Sequence, residues 1–201
     1  MVYDLFGPAR EDGAFVPLVR LWQASERLDA ASARLAALLP APPEPGPVPE
    51  LEEAYRAFSE RQRLRLARET VAWVQDQSRV RYRRDPGGDV WPSLRGLFAE
   101  GRDDCDGLEL LTFSLLRSRG FGPGELYRAI LRNGDAGGYH MVTLWFDADR
   151  ADPWVLDPTG FVTRPVARLS GIRPWVPVQL FDERELFRAA PVERALTPAG
   201  G

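Results

Sequence analysis

The sequence predicts an α+β protein, with helices in its first half and an antiparallel sheet in its second. Apolar residues recur at helical spacing through residues 15–39, 50–77 and 105–120. After Gly120 the pattern changes to short runs rich in β-branched and aromatic residues, at 126–131, 140–146 and 154–157. Helices gathered before strands, rather than alternating with them one by one, is the layout of an α+β domain.

Residues 1–39 read as a helical segment. Leu18, Leu21, Trp22, Leu28, Leu35 and Leu38 give one apolar side to an alanine-rich helix over 15–39. Residues 40–49 hold Pro40, Pro42, Pro43, Pro45, Pro47 and Pro49, the composition of a stiff, extended linker. The N-terminal helix either docks on the main domain or serves a partner from the end of this spacer. Residues 50–190 are expected to form the main domain. Its first helix, over 50–77, draws an apolar side from Leu51, Tyr55, Phe58, Leu64, Leu66, Val71, Trp73 and Val74. Residues 80–82 suit a short strand or turn, and 85–89 a loop. Pro92 sits where it opens a short helix at no cost, and Gly101 closes it. A further helix follows at once, with Asp103 or Asp104 as its N-cap and Leu108, Leu111, Thr112, Leu115 and Leu116 on its apolar face. Residues 163–181 are interrupted by Pro165, Pro174 and Pro177, so loops with one or two edge strands are expected there. A short helical turn after Phe187 and a flexible tail over 191–201 complete the reading.

Composition narrows the function. A chain of 201 residues suits one main domain with a proper core, and a net charge of -3 offers no case for nucleic acid. All 26 basic residues are arginine, a composition bias rather than a phosphate-binding device, and the cluster Arg79, Arg81, Arg83, Arg84 suits a solvated helix end. One cysteine excludes an internal disulfide, and one cysteine with one histidine excludes a zinc finger or ribbon. No apolar run approaches the ~20 residues of a membrane span, so no membrane partner is expected. The first residues lack the basic start and apolar core of a signal peptide. As written, the chain is expected in the cytoplasm; export of a longer precursor is the alternative. Nothing in the sequence names an oligomeric state.

The chemistry gathers on Cys105. In the first turn of a helix a thiol feels the positive end of the dipole, which favours the thiolate. Asp103, Asp104 and Asp106 pull the other way, so a reactive Cys105 needs a cation beside it. His140 is the one histidine. If 140–146 and 151–157 form a hairpin around the loop 147–150, pairing Phe146 with Ala151 sets Leu144 against Pro153, Val142 against Val155 and His140 against Asp157. Opposed residues share a face with β-carbons ~5 Å apart; a slip of one residue would send Asp157 to the other face. Asp157 would then hold one nitrogen of His140 and turn the other towards Cys105, giving a thiolate–imidazolium pair able to attack an acyl carbon. The Cys105 backbone N–H suits an oxyanion hole, with the Trp91 indole N–H as a candidate second donor.

The stretch Trp91-Pro-Ser-Leu-Arg-Gly-Leu-Phe-Ala-Glu-Gly-Arg-Asp-Asp-Cys-Asp, followed by His140-Met-Val-Thr-Leu and Trp154-Val-Leu-Asp-Pro-Thr, resembles the transglutaminase-like superfamily, most closely the bacterial transglutaminase-like cysteine peptidases. The resemblance covers residues 69–160 and carries the motifs in the order Cys, His, Asp. It implies a papain-like α+β core, with Cys105 as nucleophile, His140 as base and Asp157 as its orienting partner, acting on a protein or peptide substrate. The chemistry requires no cofactor, but some of these peptidases bind calcium through acids flanking the cysteine. Asp104 and Asp106 match two such positions. The glycine usual before the Asp-Cys pair is Asp103 here, and Gly107 stands where a further acid is common.

Bland readings exist for each residue. A lone cysteine is usually an inert buried side chain, a lone histidine at a strand edge is usually structural, and Asp-Pro is usually a turn. Trp145, Trp154 and Trp175 suit core or groove lining. Three classes therefore stand: a thiol acyl-transfer enzyme, hydrolysing an amide or joining it to an amine; a cell-wall peptidase of the NlpC type, suggested by Asp104-Cys-Asp-Gly-Leu; and a catalytically silent binding or scaffold protein on the same fold.

Overall fold

The computed structural model describes residues 2–8, 13–33, 49–148 and 150–192. In chain order they form strand β1 (Val2–Pro8), helices α1 (Val16–Ala33), α2 (Pro49–Arg81), α3 (Leu94–Glu100) and α4 (Cys105–Ser118), then strands β2 (Leu126–Asn133), β3 (Tyr139–Trp145), β4 (Trp154–Leu156), β5 (Val166–Arg168), β6 (Trp175–Phe181) and β7 (Leu186–Val192). The described strands make one antiparallel sheet in the order β1-β7-β6-β2-β3-β4-β5. The fold is α+β, a cysteine-bearing helix laid on an antiparallel sheet, as expected.

The pleat of β2 sorts the core into two layers. Leu126 and Ile130 join Val19, Trp22, Ala67, Val71, Leu110, Phe113 and Leu116 beneath the helices. Tyr127, Ala129 and Leu131 point the other way, into a layer with Leu5, Val142, Leu144, Val155 and Leu180. That period of two is what a strand buried on both faces requires.

The N-terminal helix is docked. Trp22 lies edge-on to Phe113 and Phe181, and the Gln23 side-chain amide donates to the carbonyl oxygens of Asp182 (2.7 Å) and Glu185 (3.0 Å). Leu35, Leu38 and the proline-rich stretch 40–48 lie outside the described residues, and Pro49 is the first residue of α2.

Several local expectations are corrected. A strand, not a helix, opens the chain: β1 pairs with β7, which is itself a strand where a helical turn was expected. β7 runs through Pro191 and Val192, into the stretch expected as tail. Of the two strands within 163–181, β5 is the edge strand expected there, but β6 is interior; its Pro177 falls where the β2–β6 register shifts between Ile130 and Leu131, an irregularity of the kind that accommodates proline inside a sheet. Helix α3 starts two residues after Pro92, because the Ser93 hydroxyl accepts the Gly96 N–H (3.2 Å) and takes the capping role. Helix α2 continues to Arg81, so the short strand or turn expected over 80–82 is reduced to Tyr82, which makes a single β-bridge to Asp103.

Candidate active site

The end of α2 and the start of α4 are tied together by backbone. The Asp103 N–H donates to the Arg81 carbonyl (3.1 Å), and the Arg83 N–H donates to that of Asp103 (2.9 Å). The chain then caps itself: Asp104 is the N-cap of α4, its carboxylate accepting the Asp106 N–H at 3.4 Å, and Cys105 is the first helical residue. Its backbone N–H lies outside the helical hydrogen-bond ladder, as the first donors of a helix do. From below, the buried Arg128 of β2 donates Nη2 to the Asp106 carbonyl (2.8 Å) and Nε to Glu109, whose other oxygen accepts the Thr143 hydroxyl (2.6 Å). An ion pair with no exposure thus holds the first turn of α4 to the sheet.

Cys105 is half-buried, and its sulfur accepts the backbone N–H of Met141, the neighbour of His140 in β3. Burial drives its thiol well above the ordinary range; Asp104, Asp106 and Asp89 add to the rise, against the Met141 hydrogen bond. The resting side chain is therefore a thiol. The helix dipole, expected to favour the thiolate, is outweighed by desolvation and by carboxylates.

His140 is 7% exposed and Asp157 fully buried, with His140 Nε2 2.9 Å from Asp157 Oδ1. The strand register differs from the expected one by two residues: Leu144 faces Val155 and Thr143 faces Leu156, which sets Asp157 across from Val142 rather than His140. A shift of two preserves the face, so the side chains still meet. The loop after β4 closes around the carboxylate. Oδ1 also accepts the Thr159 N–H (2.9 Å) and hydroxyl (3.0 Å), while Oδ2 accepts the N–H groups of Val162 (2.6 Å) and Thr163 (3.2 Å). Burial raises the Asp157 pKa, but these hydrogen bonds and the histidine outweigh it and the net shift is downward. An ionised Asp157 accepts from Nε2–H, which assigns the tautomer whose Nδ1 carries the lone pair.

Cys105 and His140 line one cavity of about 270 Å³ with Asp104, Asp106 and Trp91. Trp91 is there, stacked on Phe181, but its indole N–H goes to Asp89 at 3.2 Å rather than towards an incoming oxyanion. Trp175, expected in the core or lining a groove, lies edge-on to the His140 ring at 5.9 Å. The structure also adds residues that the sequence reading lacked, and Phe161 is edge-on to the same ring at 5.9 Å. The Gln75 amide of α2 reaches the carbonyls of Asp157 (2.9 Å), Thr163 (3.1 Å) and Pro165 (3.4 Å) and pins the aspartate loop. No spacing rule connects these positions in sequence.

The acids around Cys105 form two clusters whose oxygens lie within 4.8 Å of one another, Asp103–Asp104–Asp106 and the more exposed Asp85–Asp89–Asp104. Burial pushes the Asp106 carboxyl up to about 9, with Asp104 and Asp103 adding to the rise and Arg128 opposing it. Asp103 is raised to about 6, again first by burial. Among the described residues, no helix is long and apolar enough to cross a membrane.

No family model matches this chain, and neither does any curated protein. Solved structures do. Calcium-bound LapG of Legionella pneumophila superposes with a TM-score of 0.51 at 19% identity, over 59% of this chain and 67% of that one. EGTA-treated LapG from the same organism gives 0.54 at 19%, over 62% and 66%. A third LapG structure gives 0.52 at 19%, over 61% and 68%. The chain thus spans about two thirds of LapG, and the likeness is one of fold.

Proposed function

We propose that this protein is a thiol-dependent peptidase or acyltransferase, related to the bacterial transglutaminase-like cysteine peptidases, that works on a peptide or isopeptide amide of a protein or peptide substrate. The observation that carries the reading is the His140–Asp157 hydrogen bond beside a helix-start cysteine in the same cavity. The motif order Cys, His, Asp and the fold shared with LapG support it.

Because the resting thiol is neutral, proton removal and attack go together. His140 Nδ1 accepts the thiol proton as Sγ bonds to the acyl carbon, and the carbonyl π electrons move to oxygen. The Cys105 N–H donates to that oxyanion. Asp157 keeps the imidazolium oriented and stabilised. As the tetrahedral species collapses, the C–N bond breaks and Nδ1–H protonates the leaving amine, which leaves a thioester on Cys105. Water or a second amine then attacks the thioester carbon, with His140 again taking the proton; the C–S bond breaks, Nδ1–H returns that proton to Sγ, and the acid or new amide leaves the free thiol behind. Hydrolysis and transamidation diverge only at this last step. Adding a primary amine to a peptide reaction and weighing the products separates them.

We further propose calcium beside the site. The donor set is all oxygen, as hard cations require. Both carboxylate oxygens of Asp106 are buried without a hydrogen-bond partner among the described residues, and the side chain is 2% exposed. Asp104 and Asp106 would hold the ion. When bound, it supplies positive charge against the carboxylates that surround Cys105.

The raised thiol pKa favours a second reading, a silent binding protein that has kept the fold. A peptide library digested by wild type and by Cys105→Ala decides between them: cleavage lost with the sulfur supports the enzyme.

A further inference from the structure

We infer that Asp103 supplies the third carboxylate of the cation site, occupying the space that Gly107 leaves open one helical turn away. This rests on the calcium reading above and extends it to a residue that neither flanks Cys105 nor carries the family's usual identity.

The argument is steric first. A β-carbon at position 107 would stand 2.7 Å from the Cβ and Cγ of Asp103 and closer still to its Oδ2. The Asp103 side chain therefore lies where any residue at 107 other than glycine would start. The missing side chain at 107 is what makes room for the Asp103 carboxylate. The carboxylate reaches the same corner from the preceding loop instead of from the helix.

Oxygen accounting points the same way. Asp103 Oδ1 accepts the Asp104 N–H (2.9 Å) and Asp104 Oδ1 accepts the Asp106 N–H (3.4 Å). Neither bond uses the second oxygen of Asp103 or Asp104. Asp106 contributes two buried, unpartnered oxygens. The neighbouring cation makes no hydrogen bond to them: Arg128 gives Nε to Glu109 and Nη2 to the Asp106 carbonyl, and its Nη1 is buried without a partner among the described residues. One oxygen from each acid lies within 4.8 Å of the others. Ligands ~2.3–2.6 Å from a shared calcium can be at most about 5 Å apart, so one ion can reach all three. Three carboxylates also offset the positive helix end, which alone would repel a cation.

Calorimetric titration of calcium chloride into EGTA-stripped protein tests this without a substrate. Wild type is expected to bind one ion. Asp103→Asn keeps an oxygen for the Asp104 N–H and should weaken binding about tenfold or more by removing an anionic ligand. Gly107→Asp alone should lower Tm, because it collides with Asp103. Asp103→Gly with Gly107→Asp should restore both fold and binding, the acid having moved back to the helix. Binding by Asp103→Asn equal to wild type, with Asp106→Asn abolishing it, overturns the assignment of Asp103 but leaves the calcium reading. No binding by wild type overturns both. Loss through Asp89→Asn, with Asp103→Asn unaffected, places the ion in the outer cluster and also overturns the assignment. Activity of Cys105 enters none of these readouts, so failure of the enzymatic reading is seen separately.

Discussion

Asp157 is held at five points: His140 Nε2 at 2.9 Å, the Thr159 hydroxyl, and the backbone N–H groups of Thr159, Val162 and Thr163. It is less a mobile charge than a fixed part of the loop, and this fixes the imidazole in turn. Asp157→Asn can present its amide to Nε2 and force the other tautomer, leaving Nδ1 protonated and unable to act as base. Acyl transfer should fall about 100-fold or more, by analogy with the loss of the orienting aspartate in a hydrolase triad. Single-turnover acylation of Cys105 measures it.

The same residue has a pH signature. Its folded pKa lies below the ordinary value, so the unfolded chain takes up its proton first as pH falls. The stability it contributes is complete above about pH 4 and is lost as pH drops through the folded pKa. Thermal melts between pH 2 and 6 should show a steeper acid limb for wild type than for Asp157→Asn.

The Arg128–Glu109 pair is buried with no exposure on either side, so removing one partner strands a charge. Arg128→Met or Glu109→Gln should cost about 3–5 kcal/mol, whereas replacing both with apolar residues should cost much less. Denaturant unfolding of the two singles and the double forms the cycle. Equal losses in all three would mean that no charge is stranded.

Gln75 spans three loop carbonyls from a helix that never touches Cys105 in sequence or motif. Gln75→Ala should lower stability by about 1–2 kcal/mol and slow acylation, since the aspartate loop loses its anchor. Phe161 is a contrast. At 73% exposure it contributes little to the core, yet it lies against His140. Phe161→Ala should leave Tm nearly unchanged and reduce the acylation rate by admitting water to the His140–Asp157 bond. A large drop in Tm would make Phe161 structural instead.

Much of the site's assembly was legible because chemistry-bearing residues are scarce here: one cysteine, one histidine, and an aspartate ending the strand next to the histidine's own. The register was wrong by two residues, and it did no harm, because side-chain direction along a strand repeats every two. What was not legible depends on distant partners. β1 finds β7 from the opposite end of the chain, and each carries residues that disfavour strands, Gly7 and Pro8 in β1 and Pro191 in β7. β6 looked like an edge because of its prolines, but a bulge absorbs Pro177. The thiol's upward shift was half visible, in the flanking aspartates, and half hidden, in the burial that only packing reveals. Trp91 was placed near the cysteine from sequence, but its partner Asp89 decides where its N–H goes.

The central claim is that Cys105 and His140 act as nucleophile and base, and acetylation by p-nitrophenyl acetate in calcium-containing buffer tests it most directly. Intact-mass and peptide mapping should find one acetyl group, on Cys105, formed with a burst of nitrophenolate. His140→Ala, folded by circular dichroism, should acylate about 100-fold more slowly, the usual scale of a general base. Acylation of His140→Ala at the wild-type rate, or no acyl group on Cys105, would contradict the account and leave a silent protein on a transglutaminase-like fold.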